Sequence, residues 1–142
     1  HVFDEDIIAL VDDQMAGKQE RISLTRLKVV AGTDGPQTAD LELTIDGEVR
    51  STSATGNGPV DAVFNCIRQL VPHTAVLELY QVSAVTEGTD AQATVSVRLA
   101  EQGLVATGKA SDPDTLVASA RAYVHALNKL EVRRAKATGA AA

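Results

Sequence analysis

The sequence predicts an α+β domain made by internal duplication, with three strands and one helix in each copy. Three observations predict it. Apolar and polar residues alternate strictly in Ala39–Ile45 and again from Ala91 to Leu99, the signature of half-buried strands. Each alternating stretch runs into a turn, Asp46-Gly47 in the first half and Glu101-Gln102-Gly103 in the second. Each half then ends on a segment with helical spacing of its apolar residues.

Taken in order, Asp4 to Met15 reads as a short helix, with Asp4 as its cap and Ile7, Ile8 and Val11 as its stripe. Gly17-Lys18-Gln19-Glu20 reads as a linker, and the abrupt start suggests a connection to something upstream. Ile22–Val30 is strand-like, and Gly32-Thr33-Asp34-Gly35-Pro36 is a turn. Ala39, Leu41, Leu43 and Ile45 then face one way, and Glu48–Ser53 returns as the next strand. A glycine-rich corner, Gly56-Asn57-Gly58, leads into a helix that Pro59 opens and Pro72 ends. Its apolar residues are Val60, Val63, Phe64, Ile67 and Leu70.

The second half repeats the order. Ala75–Val85 is strand-like, Glu87-Gly88-Thr89-Asp90 is a turn, and Leu104–Thr107 is a short strand after the Gln102-Gly103 turn. Gly108-Lys109-Ala110-Ser111 reads as a second corner, with Asp112 capping the second helix and Pro113 opening it. Leu116, Val117, Ala120, Tyr123, Val124 and Leu127 form that helix's stripe. Ala54-Thr55-Gly56 faces Ala106-Thr107-Gly108 at the same offset that relates Ala39–Ile45 to Ala91–Val97, which sets the register of the repeat. The implied organisation is a linker with a short helix at 1–20, a domain at 21–130 and a flexible tail at 131–142. The two repeats divide near 73.

Composition narrows the function. The 142 residues fit one domain, and 44% hydrophobic content supplies a core without staples. A net charge of -6 and 3% aromatics with no Trp argue against nucleic acid or an anionic membrane as partner. No apolar run approaches the roughly 20 residues of a membrane span. The lone Cys66, flanked by apolar Phe64 and Ile67, is expected to be buried, and nothing asks for an oxidising compartment, so a cytoplasmic location is expected.

No catalytic set emerges. His1, His73 and His125 lack metal-ligand spacing, and His73 and His125 read as ordinary surface histidines. Ser51, Ser53 and Ser111 have no nucleophile elbow or paired base. The basic cluster Arg133-Arg134-Ala135-Lys136 reads as a frayed, solvated terminus. The corner Gly56-Asn57-Gly58-Pro59 stands apart. It brings a strand into a helix N-terminus, where free amides suit an anion, either phosphate or a small carboxylate. The competing reading is a tight turn that needs glycine for backbone reasons alone.

The stretch Ser53-Ala54-Thr55-Gly56-Asn57-Gly58-Pro59-Val60-Asp61-Ala62 resembles the C-terminal regulatory domain of 2-isopropylmalate synthase and its relatives. Asp4-Glu5-Asp6-Ile7-Ile8-Ala9-Leu10, Gly88-Thr89-Asp90-Ala91-Gln92-Ala93 and Gly108-Lys109-Ala110-Ser111-Asp112 with Ala118–Tyr123 agree with it, so the likeness runs from about Val2 to Leu130. The resemblance implies two strand-strand-strand-helix units related by a pseudo-twofold. It implies a homodimer that binds the end-product amino acid, leucine in most of the family and isoleucine in the citramalate synthases. Catalysis would belong to an upstream barrel that uses a divalent metal and acetyl-CoA, with no cofactor in this domain. Carried over by motif, the effector residues are Gly56, Asn57, Gly58, Pro59, Val60 and Asp61 at the corner, Val76, Leu79, Tyr80 and Ser83 on the following strand, and Ala91 and Ala93 on the next. Corner amides suit the carboxylate. Asp61 either meets the ammonium or serves its own helix as a first-turn acid. Val76, Leu79, Ala91 and Ala93 either shape a branched aliphatic pocket or are plain core.

Overall fold

The computed structural model describes residues 20–85 and 91–138. In chain order the elements are β1 (Ile22–Val30), β2 (Gln37–Ile45), β3 (Glu48–Gly56), α1 (Pro59–Leu70), β4 (Val76–Val85), β5 (Ala93–Glu101), β6 (Leu104–Asp112) and α2 (Thr115–Thr138). They form two antiparallel sheets, β1-β2-β3 and β4-β5-β6, each followed by its helix, as the alternation and turn signals predict. The N-terminal helix expected over 4–15 and the turn at 87–90 lie outside the described residues.

Both inner hairpins close on two residues with positive φ: Asp46 (53°) with Gly47 (82°), and Gln102 (52°) with Gly103 (80°). Two such residues in succession give the turn whose twist matches paired strands. Alternation then puts Ala39, Leu41 and Leu43 of β2 and Ala93, Val95, Val97 and Leu99 of β5 on the buried faces. α1 covers β2 and β3, while α2 covers β5 and β6 and also packs on β1 and α1. Between Ala118 and Leu130, α2 is therefore buried on more than the stripe its spacing suggests, and alanines at 118, 120, 122 and 126 let its neighbours approach closely. Phe64 of α1 stands edge-on to Tyr80 of β4 (5.7 Å, 79°) and 4.6 Å from Tyr123 of α2, tying the two units into one core.

Four expectations need correction. The repeat register is four residues longer than the Gly56–Gly108 match suggests. Equivalent positions lie 56 residues apart (46 to 102, 58 to 114), shown by the matching turns and by the same first-turn bonds, Ala62 N–H to Gly58 O and Ala118 N–H to Asp114 O, both 3.0 Å. The error was invisible to alternation, because a shift of four preserves side-chain parity.

Second, there is no corner at Gly108–Ser111. β6 runs straight through to Asp112, paired with β5 throughout. Gly108 is glycine because α2 lies on it: a Cβ there would sit 2.2 Å from Ala122 O and 2.4 Å from Ala126 N. Third, Asp114 rather than Asp112 caps α2. Its carboxylate accepts the Leu116 and Val117 N–H groups at 2.7 and 3.3 Å, while Asp112 accepts the Asp114 N–H at 2.9 Å.

Fourth, helix continues past residue 131 to Thr138. The basic cluster read as frayed is engaged: Arg134 pairs with the buried carboxylate of Glu101, and Arg133 donates to Val105 O. Glu131 receives Arg21 at 2.6 Å. His73 and His125 are engaged too. His73 Nε2 lies 2.8 Å from the hydroxyl of buried Tyr123, and His125 Nδ1 lies 3.2 Å from Lys109 O.

Candidate functional site: the opening of the first helix

The corner is built by two glycines with different reasons to be glycine. Gly56 closes β3 beneath the first turn of α1, where a Cβ would lie 2.4 Å from Ala62 N and 2.8 Å from both Asp61 C and Asp61 Oδ2. Gly58 is the N-cap of α1, at φ -168° and ψ 171°. That is extended backbone open to any residue, and a Cβ there would meet nothing within 4 Å. Tight-turn sterics thus explain Gly56 but leave Gly58 without a backbone reason.

Gly58 has no side chain with which to cap, and Pro59 occupies the first helical position. The Val60 and Asp61 amides correspond by the repeat register to those of Leu116 and Val117, which the Asp114 carboxylate caps. Such uncapped amides, with the positive end of the helix dipole, favour an anion by about 0.3–1 kcal/mol. Around them runs a polar chain along one face of α1. Asp61 Oδ2 accepts the Asn57 N–H at 3.0 Å and the Asn65 amide at 3.5 Å. Asn65 also donates to Thr55 O at 2.9 Å and accepts from Arg68 at 2.9 Å. Asp61 thus serves its own corner. Asn65 and Arg68 were not singled out in the sequence, although their i+4 and i+7 spacing from Asp61 puts them on the same face. Val60 packs half-buried against the core.

The strand residues divide by face. Tyr80 points inward, its hydroxyl 2.8 Å from Ser119 Oγ. Ala93 is buried, and Ala91, just before β5, is half-buried. Val76 (63% exposed) and Leu79 are not part of the core cluster; they pair with Ala100 and Arg98 on the outer side of the second sheet. Ser83 is exposed and donates to Thr94 O at 3.3 Å. Among the described residues the corner and these strand residues stand on elements that do not pack closely together. Neither β3 nor α1 packs closely on β4 or β5, and their clearest link is the Phe64–Tyr80 ring contact.

Two buried groups have shifted protonation. Burial pushes the Cys66 thiol up to about 11, its Sγ 3.3 Å from Ala39 O. Burial also raises the Tyr123 hydroxyl, against the opposing charge of Arg68. At the surface, hydrogen bonds from Arg21 hold the Asp46 carboxyl below its usual range. Among the described residues no group of three or more His, Cys, Asp and Glu could hold a metal ion, and no helix is long and apolar enough to cross a membrane.

The molecule is thus a duplicated three-strand-and-helix module, one copy capped by its own aspartate and the other opening on bare amides. The family model described as the LeuA allosteric (dimerisation) domain matches residues 1–131, and the chain belongs to that family. It is 61% identical over 141 residues to 2-isopropylmalate synthase of Nitrobacter hamburgensis, covering 99% of this chain and 27% of that protein. It is 63% identical over 142 residues to that of Caulobacter vibrioides (100% and 27%), and 62% over 137 residues to that of Bradyrhizobium diazoefficiens (96% and 26%). The chain thus spans about a quarter of the length of these curated relatives.

Proposed function

We propose that this domain binds leucine, the end product of the pathway, and through a homodimer feeds that signal back on a 2-isopropylmalate synthase of which it forms the regulatory part. On this reading the domain performs no catalysis of its own. A cytoplasmic catalytic barrel, with its divalent metal, condenses acetyl-CoA with a 2-oxo acid. The relatives' shared name favours leucine over the isoleucine of a citramalate synthase.

The observation that carries the reading is the inequality of the two helix starts. In the second unit a carboxylate, that of Asp114, sits on the amides of Leu116 and Val117. In the first unit the same two positions face Gly58, with open space where a side chain would stand. An amino acid's carboxylate supplies the group that the first unit lacks. Val76 and Leu79, outside the core, offer aliphatic surface for its side chain. Because one chain does not join them to the corner, a second chain would complete the pocket.

Calorimetry and thermal melting with leucine, isoleucine, valine and lysine test this. Leucine at 100 times its dissociation constant should add about 2.7 kcal/mol of stability. No heat and no shift with any of the four would refute sensing. Gly58→Val should fold normally, since its Cβ meets nothing, yet lose leucine binding; full binding by that variant would remove the site from the corner.

A further inference from the structure

Four strands form sheet edges: β1, β3, β4 and β6. An edge presents unpaired N–H and C=O groups, and proteins blunt it with bulges or cover it. β1 has a bulge between Leu24 and Arg26, and β4 has two, at Leu77/Leu79 and Val82/Ala84. β3 and β6 pair regularly over all nine residues and keep flat edges.

The β6 edge is covered. Its outward backbone groups include those of Val105, Thr107 and Lys109, because the two-residue turn pairs Glu101 with Leu104 and sends alternate residues outward. α2 meets them in a ladder: Arg133 donates to Val105 O, Lys129 Nζ donates to Thr107 O at 2.8 Å, and His125 Nδ1 lies 3.2 Å from Lys109 O. Four residues of helix rise about 6 Å and two of strand about 6.6 Å, so one basic residue per turn matches one outward carbonyl after another.

Among the described residues the β3 edge has no such cover. The repeat register makes Val49, Ser51 and Ser53 its outward residues. The ladder positions would fall at 69, 73 and 77, but α1 stops at Leu70, before Pro72. Gln69 instead accepts the Thr52 hydroxyl at 2.7 Å. Asn65 covers Thr55 O at the far end, and among the described residues no hydrogen bond reaches the outward backbone groups from Val49 to Ser53.

We propose that the β3 edge pairs with the β3 edge of a second copy of this chain, antiparallel about a twofold at Ser51, making one six-stranded sheet. The inference rests on the dimeric reading above and on the family's description as a dimerisation domain. The segment is compatible with itself. Val49 of each chain meets Ser53 of the other, Ser51 meets its copy, Arg50 faces Thr52, and Glu48 faces Ala54. No like charges oppose.

The test combines sedimentation with crosslinking. Directly opposed residues in this register have Cα atoms about 5.5 Å apart, within disulfide reach. Ser51→Cys should become a covalent dimer on mild oxidation. Thr107→Cys, its counterpart on the covered edge, should not, and native Cys66 is buried. Ser51→Pro removes an outward N–H and keeps the β2 ladder, so the chain should fold while its dimer dissociation constant rises about tenfold or more. A stable dimer in which Ser51→Cys links no better than Thr107→Cys would overturn β3 pairing and leave dimerisation standing. A monomer at every concentration would overturn both.

Discussion

Three glycine-to-alanine changes separate packing from openness. At Gly108 an added Cβ meets Ala122 O at 2.2 Å and Ala126 N at 2.4 Å, both backbone atoms of a helix buried on several sides. No rotamer change relieves such a contact, so α2 must move off β6. Overpacking of this kind costs about 3 kcal/mol. At Gly56 the added atom meets Ala62 N and Asp61 C at 2.4 and 2.8 Å, in a first turn that can give way, and the cost falls to about 1–2 kcal/mol. At Gly58 the backbone is extended and the space open. Alanine there restricts the unfolded chain but is a poorer N-cap than glycine, so the two effects offset and the net change should stay within about 0.5 kcal/mol.

Thermal unfolding by circular dichroism reads the series, at one protein concentration because a dimer makes Tm concentration-dependent. At roughly 4 °C per kcal/mol for a domain of this size, Gly108→Ala should melt about 12 °C lower. Gly56→Ala should melt about 4–8 °C lower, and Gly58→Ala within about 2 °C of the parent. If Gly58→Ala proves the most damaging of the three, Gly58 is structural and its openness is no argument for a ligand.

The remaining predictions concern buried polar groups. The Asn128 carboxamide accepts the Ile22 N–H at 3.2 Å and donates to Ile22 O at 2.8 Å, both sides fully buried, so Asn128→Leu should cost about 2–4 kcal/mol in urea unfolding. A loss under 0.5 kcal/mol would show that water or a rearranged β1 replaces it. Cys66 and Tyr123 hold their protons more tightly folded than unfolded. The Cys66 contribution is therefore whole below the ordinary thiol value of 9.0 and lost as pH rises toward about 11, and the Tyr123 contribution is likewise lost on the alkaline side. Cys66→Ala should flatten that alkaline decline by about 2 kcal/mol, and an unchanged decline would assign it elsewhere.

Much of the fold was legible because its signals are local. Alternation in β2 and β5, the turn dipeptides and the Pro59 helix start are each decided by a few neighbouring residues. What failed was long-range. Gly56 and Gly108 follow the same Ala-Thr pair, yet they are not equivalent; each is small because a different helix backbone lies on it. Nothing nearby in sequence announces that approach, so Gly108 resembled a turn. Arg133 and Arg134 likewise looked solvated because their partners, Val105 and Glu101, lie about thirty residues away. At the candidate site the corner was visible from its glycines. The polar chain through Asn65 and Arg68 was missed, since polar residues on a helix face ordinarily mark solvent.

The two units carry one fold to opposite ends. In the second, Asp114 caps the helix and a 24-residue α2 reaches far enough to close the β6 edge with its basic ladder. In the first, Gly58 leaves the helix start bare, and a 12-residue α1 ends too soon to cover β3. Both openings lie at the end or along the edge of the same strand, since β3 terminates at Gly56 beneath the uncapped turn. A second chain seated on Val49–Ser53 therefore approaches the corner as well. An effector bound there would touch the element that joins the chains, and its binding energy would bear directly on how they pair. On the proposed reading both copies build the core, and the first also keeps its helix start bare for an effector. If so, giving the first unit its own cap with Gly58→Asp should mimic the second: the variant should gain stability by about 1 kcal/mol and lose leucine binding together. A gain in stability with binding intact would separate the bare amides from the effector.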